Sequence, residues 1–209
     1  MLPYGKSRER DGLRGRGSGS FGDAFAKAAM EDGFLSAKQK GLPPFSTSGG
    51  EGITWGKEQE LVWSDGARIP RKWLDIARKF IIKSAAKVRN ATEAREAIRN
   101  GYPLTIASDW GGMMTPPVKE GVRLNRRVTK WMHQMCVIGW WNHPVLGEIF
   151  YVLNSWGVNA HGEPAGDEPP GGFWVQASEI DYIARQGDTF AFSRFDGFPG
   201  NEDPNFWRW

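Results

Sequence analysis

The chain has 209 residues, 40% apolar and 24% charged, which is enough to bury a sizeable core without disulfide staples and too apolar for wholesale disorder. No apolar run approaches the roughly 18 residues that a membrane-spanning helix needs, so a soluble globular chain without a membrane partner is expected. A formal charge of +3 is a weak electrostatic footprint, and nucleic acid is not an expected partner.

In chain order, residues 1–20 are rich in Arg, Gly and Ser, among them Arg8, Arg10, Arg14, Gly15, Arg16, Gly17, Ser18 and Gly19. Such a composition cannot build a core alone and is read as a loop segment. Its arginines alternate with Glu9 and Asp11, which favours a solvated loop over a phosphate-binding one. Over residues 21–32 the apolar positions Phe21, Ala24, Phe25, Ala28 and Ala29 recur at helical spacing, and Gly33 is placed to end the helix. A polar Gly/Pro-rich stretch, 39–56, follows. Pro70 then opens a second helix carrying Trp73, Ile76, Ala77, Phe80 and Ile81. A third spans 92–100, capped by Thr92 and stopped by Gly101.

After Tyr102 and Pro103 the pattern changes to β-branched and aromatic runs: 104–107, 130–141 and 148–153, then 173–175 and 189–192 around a short helix at 177–185. The architecture this predicts is α+β, a helical first half followed by an antiparallel sheet. One domain is expected over 21–196, after the loop segment and before a tail, 197–209. The tail ends in Phe206, Trp207 and Trp209, aromatics suited either to docking on the chain's own body or to a partner's pocket in an assembly.

The chemistry concentrates in two neighbouring strands. His133 enters the first, and Asn154 ends the second, 21 positions later, ahead of Ser155, Trp156 and Gly157. Paired antiparallel, these strands bring imidazole and carboxamide side by side. The amide oxygen then fixes the tautomer and orientation of a general base. Trp156 can cover that hydrogen bond and exclude water from it. Cys136 lies three residues beyond His133, and odd spacing in a strand sends the two side chains to opposite faces. A cleft-facing His133 therefore leaves Cys136 as a small buried hydrophobe. His133, Cys136, His143 and His161 lack the paired spacings of a metal site, so no metal or other cofactor is expected.

These residues resemble the papain-like cysteine peptidases, in which a histidine heads a strand running to Gly and an aromatic, and the next apolar strand ends Asn-Ser-Trp-Gly. Gly171, Gly172, Phe173 and Trp174 are similar to the family's Gly-aromatic strand start, and Asn100 to Pro103 to its turn before the histidine strand. Gly17 to Gly33 is similar to its glycine-rich turn and the helix facing the substrate cleft. The resemblance implies a papain-like fold with a half-barrel second lobe. It also implies peptide-bond hydrolysis with His133 as base and Asn154 as orienter, and contacts to a polypeptide through Ser155, Trp156, Gly17, Ser18 and Gly19.

The family's nucleophilic cysteine, opening a helix ahead of the glycine-rich turn, has no counterpart here, nor has the glutamine of its oxyanion hole. Before Gly17 the hydroxyls are those of Tyr4 and Ser7, and neither sits beside a base. Two readings follow: a peptidase whose cysteine is supplied from elsewhere, or an inactive papain-fold component that binds a protein in a viral particle or bacterial assembly. The single cysteine demands no oxidising compartment, and no apolar signal core follows Met1, so the cytoplasm or a virion is the expected location.

Overall fold

The computed structural model describes residues 2–13, 19–35 and 64–193. The chain divides into two compact units, with the boundary after Ser84, so the span 21–196 crosses that division. Gly17, Ser18 and the tail aromatics Phe206, Trp207 and Trp209 lie outside the described residues.

The first unit contains helix α1 (Leu2–Arg10), helix α2 (Gly22–Glu31), a 3-10 turn (Gly66–Arg68) and helix α3 (Arg71–Ala77). The first of these corrects the expectation of a loop over residues 1–20. Pro3 stands in the first turn, where no intrahelical N–H bond is lost. Leu2 is buried with Ile69, Trp73 and Ala77, and Arg8 turns inward to 3% exposure. Its guanidinium donates to the carbonyls of Ser64 (3.2 Å), Gly19 (2.5 Å) and Leu13 (2.8 Å). A buried cation is tolerated when its donors are paired, and composition alone does not reveal that pairing. Ser7 is fully buried, with its hydroxyl donating to the Tyr4 carbonyl at 2.7 Å.

Helix α2 falls within the expected span, with Ala24, Ala28 and Ala29 buried, although Phe21 stays outside the helix and is exposed. Gly33 adopts φ +76, and a Cβ there would meet the Ala77 carbonyl oxygen at 2.0 Å. Only glycine fits this approach. Helix α3 starts behind Pro70 as expected but ends at Ala77, before Phe80 and Ile81. The Phe80 N–H folds back to Ala77 O at 2.8 Å, Phe80 O accepts from Phe34 N, and Ile82 N–H donates to Ala29 O. The bonds to Phe34 and Ala29 are long-range and draw the chain away from the helical path.

The second unit is a mixed sheet with helices on its flank. It contains β1 (Ala85–Lys87), α4 (Ala91–Arg99), β2 (Leu104–Gly112), β3 (Val118–Lys119), β4 (Val122–Asn125), β5 (Arg127–His143), β6 (Gly147–Leu153), β7 (Gly172–Gln176), α5 (Ala177–Ala184) and β8 (Asp188–Phe192). Strand order is β1-β8-β2-β5-β6-β7-β4-β3. All pairs are antiparallel except β4 with β7, which runs parallel, a departure from the expected wholly antiparallel sheet. The α4 cap is Asn90, whose side chain accepts from Glu93 N at 2.8 Å, while the Glu93 carboxylate accepts from Arg89 N. The Asn90 cap, braced by the Glu93 bond to the residue before it, starts the helix ahead of Thr92.

The main core gathers Leu104, Ile106, Val137, Phe150, Val152 and Phe173 beneath Ile180 and Ile183 of α5. Strand β5 is long enough to pair with β2 through its first part and with β6 through its second. It is the central strand that carries His133 to the site. Gly112 closes β2 at a register shift, where a Cβ would meet Trp110 at 2.4 Å and Asn125 at 2.8 Å.

Candidate active site

His133 stands opposite Ser108 of β2, on the same side of β5 as Met135 and Val137, both in the main core. Asn154 follows Leu153, which pairs with Cys136, and its N–H is held by the Gly171 carbonyl at 3.2 Å. The antiparallel β5–β6 pair thus delivers the two side chains to each other, with His133 Nε2 and Asn154 Oδ1 2.9 Å apart.

The polarity of this bond is fixed by its neighbours. The backbone N–H of Ser155 donates to Asn154 Oδ1 at 2.7 Å, so that atom is the amide oxygen, and His133 Nε2 must carry the proton it donates. On the other side, Asn154 Nδ2 lies 3.0 Å from Nε2 of His161. His161 Nδ1 lies 2.8 Å from the Met114 carbonyl oxygen. A carbonyl can only accept, so His161 Nδ1 donates and its Nε2 accepts from the amide. The result is one directional chain: His133 Nε2–H to Asn154, Asn154 N–H to His161, His161 Nδ1–H to Met114. His133 Nδ1 has no hydrogen-bond partner among the described residues, which leaves that lone pair open to accept a proton.

Trp156 lies across this chain, its ring centroid 4.8 Å from that of His133 and 5.9 Å from that of His161. It is 42% exposed, so it covers the imidazoles on one side and meets solvent on the other. A cavity of about 480 Å³ adjoins His133, Asn154 and Trp156, with Trp110, Met114, Trp131, Met135 and Phe173 among its walls. Trp110 is stacked on Phe173 at 5.7 Å and donates through Nε1 to Glu179 of α5 at 2.5 Å, which fixes the deep wall.

The remaining candidates separate clearly. Gly19 belongs to the first unit, where its N–H donates to Tyr4 Oη at 3.0 Å. Ser155 is exposed and contributes its backbone N–H to Asn154. Cys136 leaves the face of β5 opposite His133, as strand parity requires, but the faces are exchanged relative to expectation. His133 shares the side of the main core, and Cys136 is half-buried on the other. Burial pushes its thiol up to about 11. His143 is occupied at the β5–β6 turn, with Nε2 on the Glu120 carbonyl and Nδ1 accepting from Val145 and Leu146 N–H. Among the described residues no cluster of three or more His, Cys, Asp or Glu is placed to hold a metal ion.

Sequence reasoning assigned His161 and Asn125 no part in this site. His161 lies seven residues beyond Asn154 in a Gly-rich loop, and that proximity was the available signal. Asn125, only 2% exposed, accepts from Met113 N at 2.8 Å and donates to Met113 O at 3.0 Å. It clamps the segment that offers the Met114 carbonyl.

No protein-family model and no curated protein matches the sequence. Solved structures do match. Xylellain, a cysteine protease from Xylella fastidiosa, superposes with a TM-score of 0.56 at 13% identity, covering 92% of this chain and 68% of its own. Procathepsin B S9 from Trypanosoma congolense gives a TM-score of 0.53 at 13% identity, covering 92% of this chain and 59% of its own. This chain therefore spans about three-fifths to two-thirds of those structures. At that identity the likeness is one of fold, and the fold is the α+β architecture of the papain-like cysteine proteases.

Proposed function

We propose that this chain supplies the histidine and asparagine of a papain-like cysteine peptidase site, and that the nucleophilic thiol comes from polypeptide outside these 209 residues. The observation that carries the reading is the His133–Asn154 pair, in which Nε2 is committed to the amide and Nδ1 is left to serve as base. Cys136, the sole cysteine, leaves the wrong face of β5 and is held protonated by burial, so it does not fill the missing role.

In this reading His133 Nδ1 takes the proton of the external thiol, and the thiolate attacks the carbonyl carbon of a polypeptide substrate. The same imidazole then gives that proton to the departing amine. Water, deprotonated by His133, releases the acyl group from sulfur. Asn154 holds the ring through both half-reactions, and Trp156 limits water at the amide–imidazole bond. The cavity beside His133 offers an apolar surface for a substrate side chain.

The test is hydrolysis of a peptide amide by the chain recovered with its native associated polypeptide, compared with His133→Ala. Thiol-reagent-sensitive hydrolysis that falls by on the order of 10³-fold or more in the variant is expected. Binding of a polypeptide without hydrolysis in the native complex would select the alternative, an inactive papain-fold binding or structural component. The position of Cys136 is the observation in its favour.

A further inference from the structure

We propose that His161 is a positioning residue for the His133–Asn154 pair, fixing from behind the amide that sets which nitrogen of His133 carries the proton. The inference rests on the peptidase reading for its purpose, but its geometry stands independently of it.

His161 is 2% exposed and spends both ring nitrogens on the chain, one on Asn154 Nδ2 at 3.0 Å and one on the Met114 carbonyl at 2.8 Å. Its ring meets the edge of Phe173 at 4.7 Å and 84°, with Trp156 on another side. An apolar ring would fill this space without the cost of burying two polar nitrogens. The contribution particular to imidazole is direction: a donor at Nδ1, demanded by a carbonyl, makes Nε2 an acceptor, and that acceptor holds the amide N–H₂ away from His133. Asn125 grips both backbone groups of Met113, so the carbonyl at the end of the chain is itself anchored. Burial, with the neighbouring His133 charge acting the same way and the Met114 carbonyl opposing, lowers the proton affinity of His161 and keeps Nε2 available as an acceptor.

Substitutions separate direction from bulk. In His161→Phe the ring volume stays and both polar contacts go. His161→Gln places a carbonyl oxygen near the former Nε2 and keeps the acceptor for Asn154. His161→Asn mimics Nδ1, keeps only the donor for Met114, and leaves Asn154 Nδ2 unpaired. The experiment is long-range ¹⁵N–¹H correlation of the imidazoles in the ¹⁵N-labelled 209-residue chain. Wild type is expected to show His161 protonated at Nδ1 and His133 at Nε2. His161→Phe and His161→Asn are expected to lose the single His133 tautomer, and His161→Gln to restore it.

His133 remaining wholly Nε2-protonated in His161→Phe, or Gln proving no better than Asn, would overturn the proposal. If His161→Phe does not fold, the wild-type spectrum still decides, because an Nε2-protonated His161 contradicts the chain. In the native complex the same variants are expected to lower kcat with KM unchanged, and Gln to recover it. Tautomers that follow this pattern in a complex without hydrolysis would support the positioning role and refute the peptidase reading.

Discussion

His133 and Cys136 leave opposite faces of β5, the imidazole beside Met135 and Val137 and the thiol half-buried on the reverse. The imidazole of His133 and the thiol of Cys136 therefore cannot meet without breaking the strand. With its thiol pushed up to about 11 by burial, Cys136 has little thiolate at neutral pH. An aromatic disulfide reagent at pH 7.5 is expected to modify the folded chain more than about 100-fold slower than the urea-unfolded chain. Equal rates would show that the thiol is open and activated.

Arg8 offers a test of the first unit. Its guanidinium holds three carbonyls from Leu13, Gly19 and Ser64 at 3% exposure. Arg8→Ala removes these three hydrogen bonds and is expected to cost about 3 kcal/mol in chemical denaturation. Arg8→Lys is expected to recover only part, because a single ammonium does not reproduce the fork. A full recovery by lysine would mean that charge, not geometry, ties the segment down.

Acidification tests His161. An unfolded histidine titrates near about pH 6.5, and burial holds the folded His161 below its ordinary value. Between those two values the unfolded chain binds the extra proton and the folded chain does not, so stability contributed above about pH 6.5 is lost as pH falls toward the folded value. The groups in contact with the ring are the Asn154 amide, the Met114 carbonyl, Trp156 and Phe173, with His133 the neighbouring titratable group, and none of them is anionic. Urea midpoints are expected to drop between pH 7.5 and pH 5.5, and to drop less in His161→Gln. An identical pH slope in that variant would remove His161 as the cause.

Trp156 is expected to matter more for water exclusion than for stability. Its ring lies 4.8 Å from His133 but is 42% exposed, so Trp156→Ala is expected to change unfolding free energy by roughly 1 kcal/mol or less. Exchange of the His133 Nε2–H proton with water should become markedly faster. An unchanged exchange rate would show that the indole does not shield the bond.

The β5–β6 pair was legible because strand period, turn signals and the run from Asn154 to Gly157 agree on one register. Strands β2, β7 and β8 and helix α5 were readable for the same reason. Helix α1 was not, because Arg8 is charged in the sequence and its burial depends on carbonyls brought from Leu13, Gly19 and Ser64. Strand β4 escaped notice because it is four residues long and Leu124 and Asn125 pair in parallel with β7, a long-range partner that local pattern does not announce. His161 stood out in the sequence only within a set that lacks metal-site spacing, because its place behind Asn154 is a product of folding, and Asn125 carries its information in hydrogen bonds to Met113.

The most direct measurement is adduct mapping. The chain recovered with its native associated polypeptide is treated with a peptidyl epoxide, digested and sequenced by mass spectrometry, in wild type and in Asn154→Ala. A thioether is expected on a cysteine outside residues 1–209, formed far more slowly in the variant, with Cys136 unmodified. An adduct on Cys136, or labelling of an external cysteine at the same rate without Asn154, would contradict it.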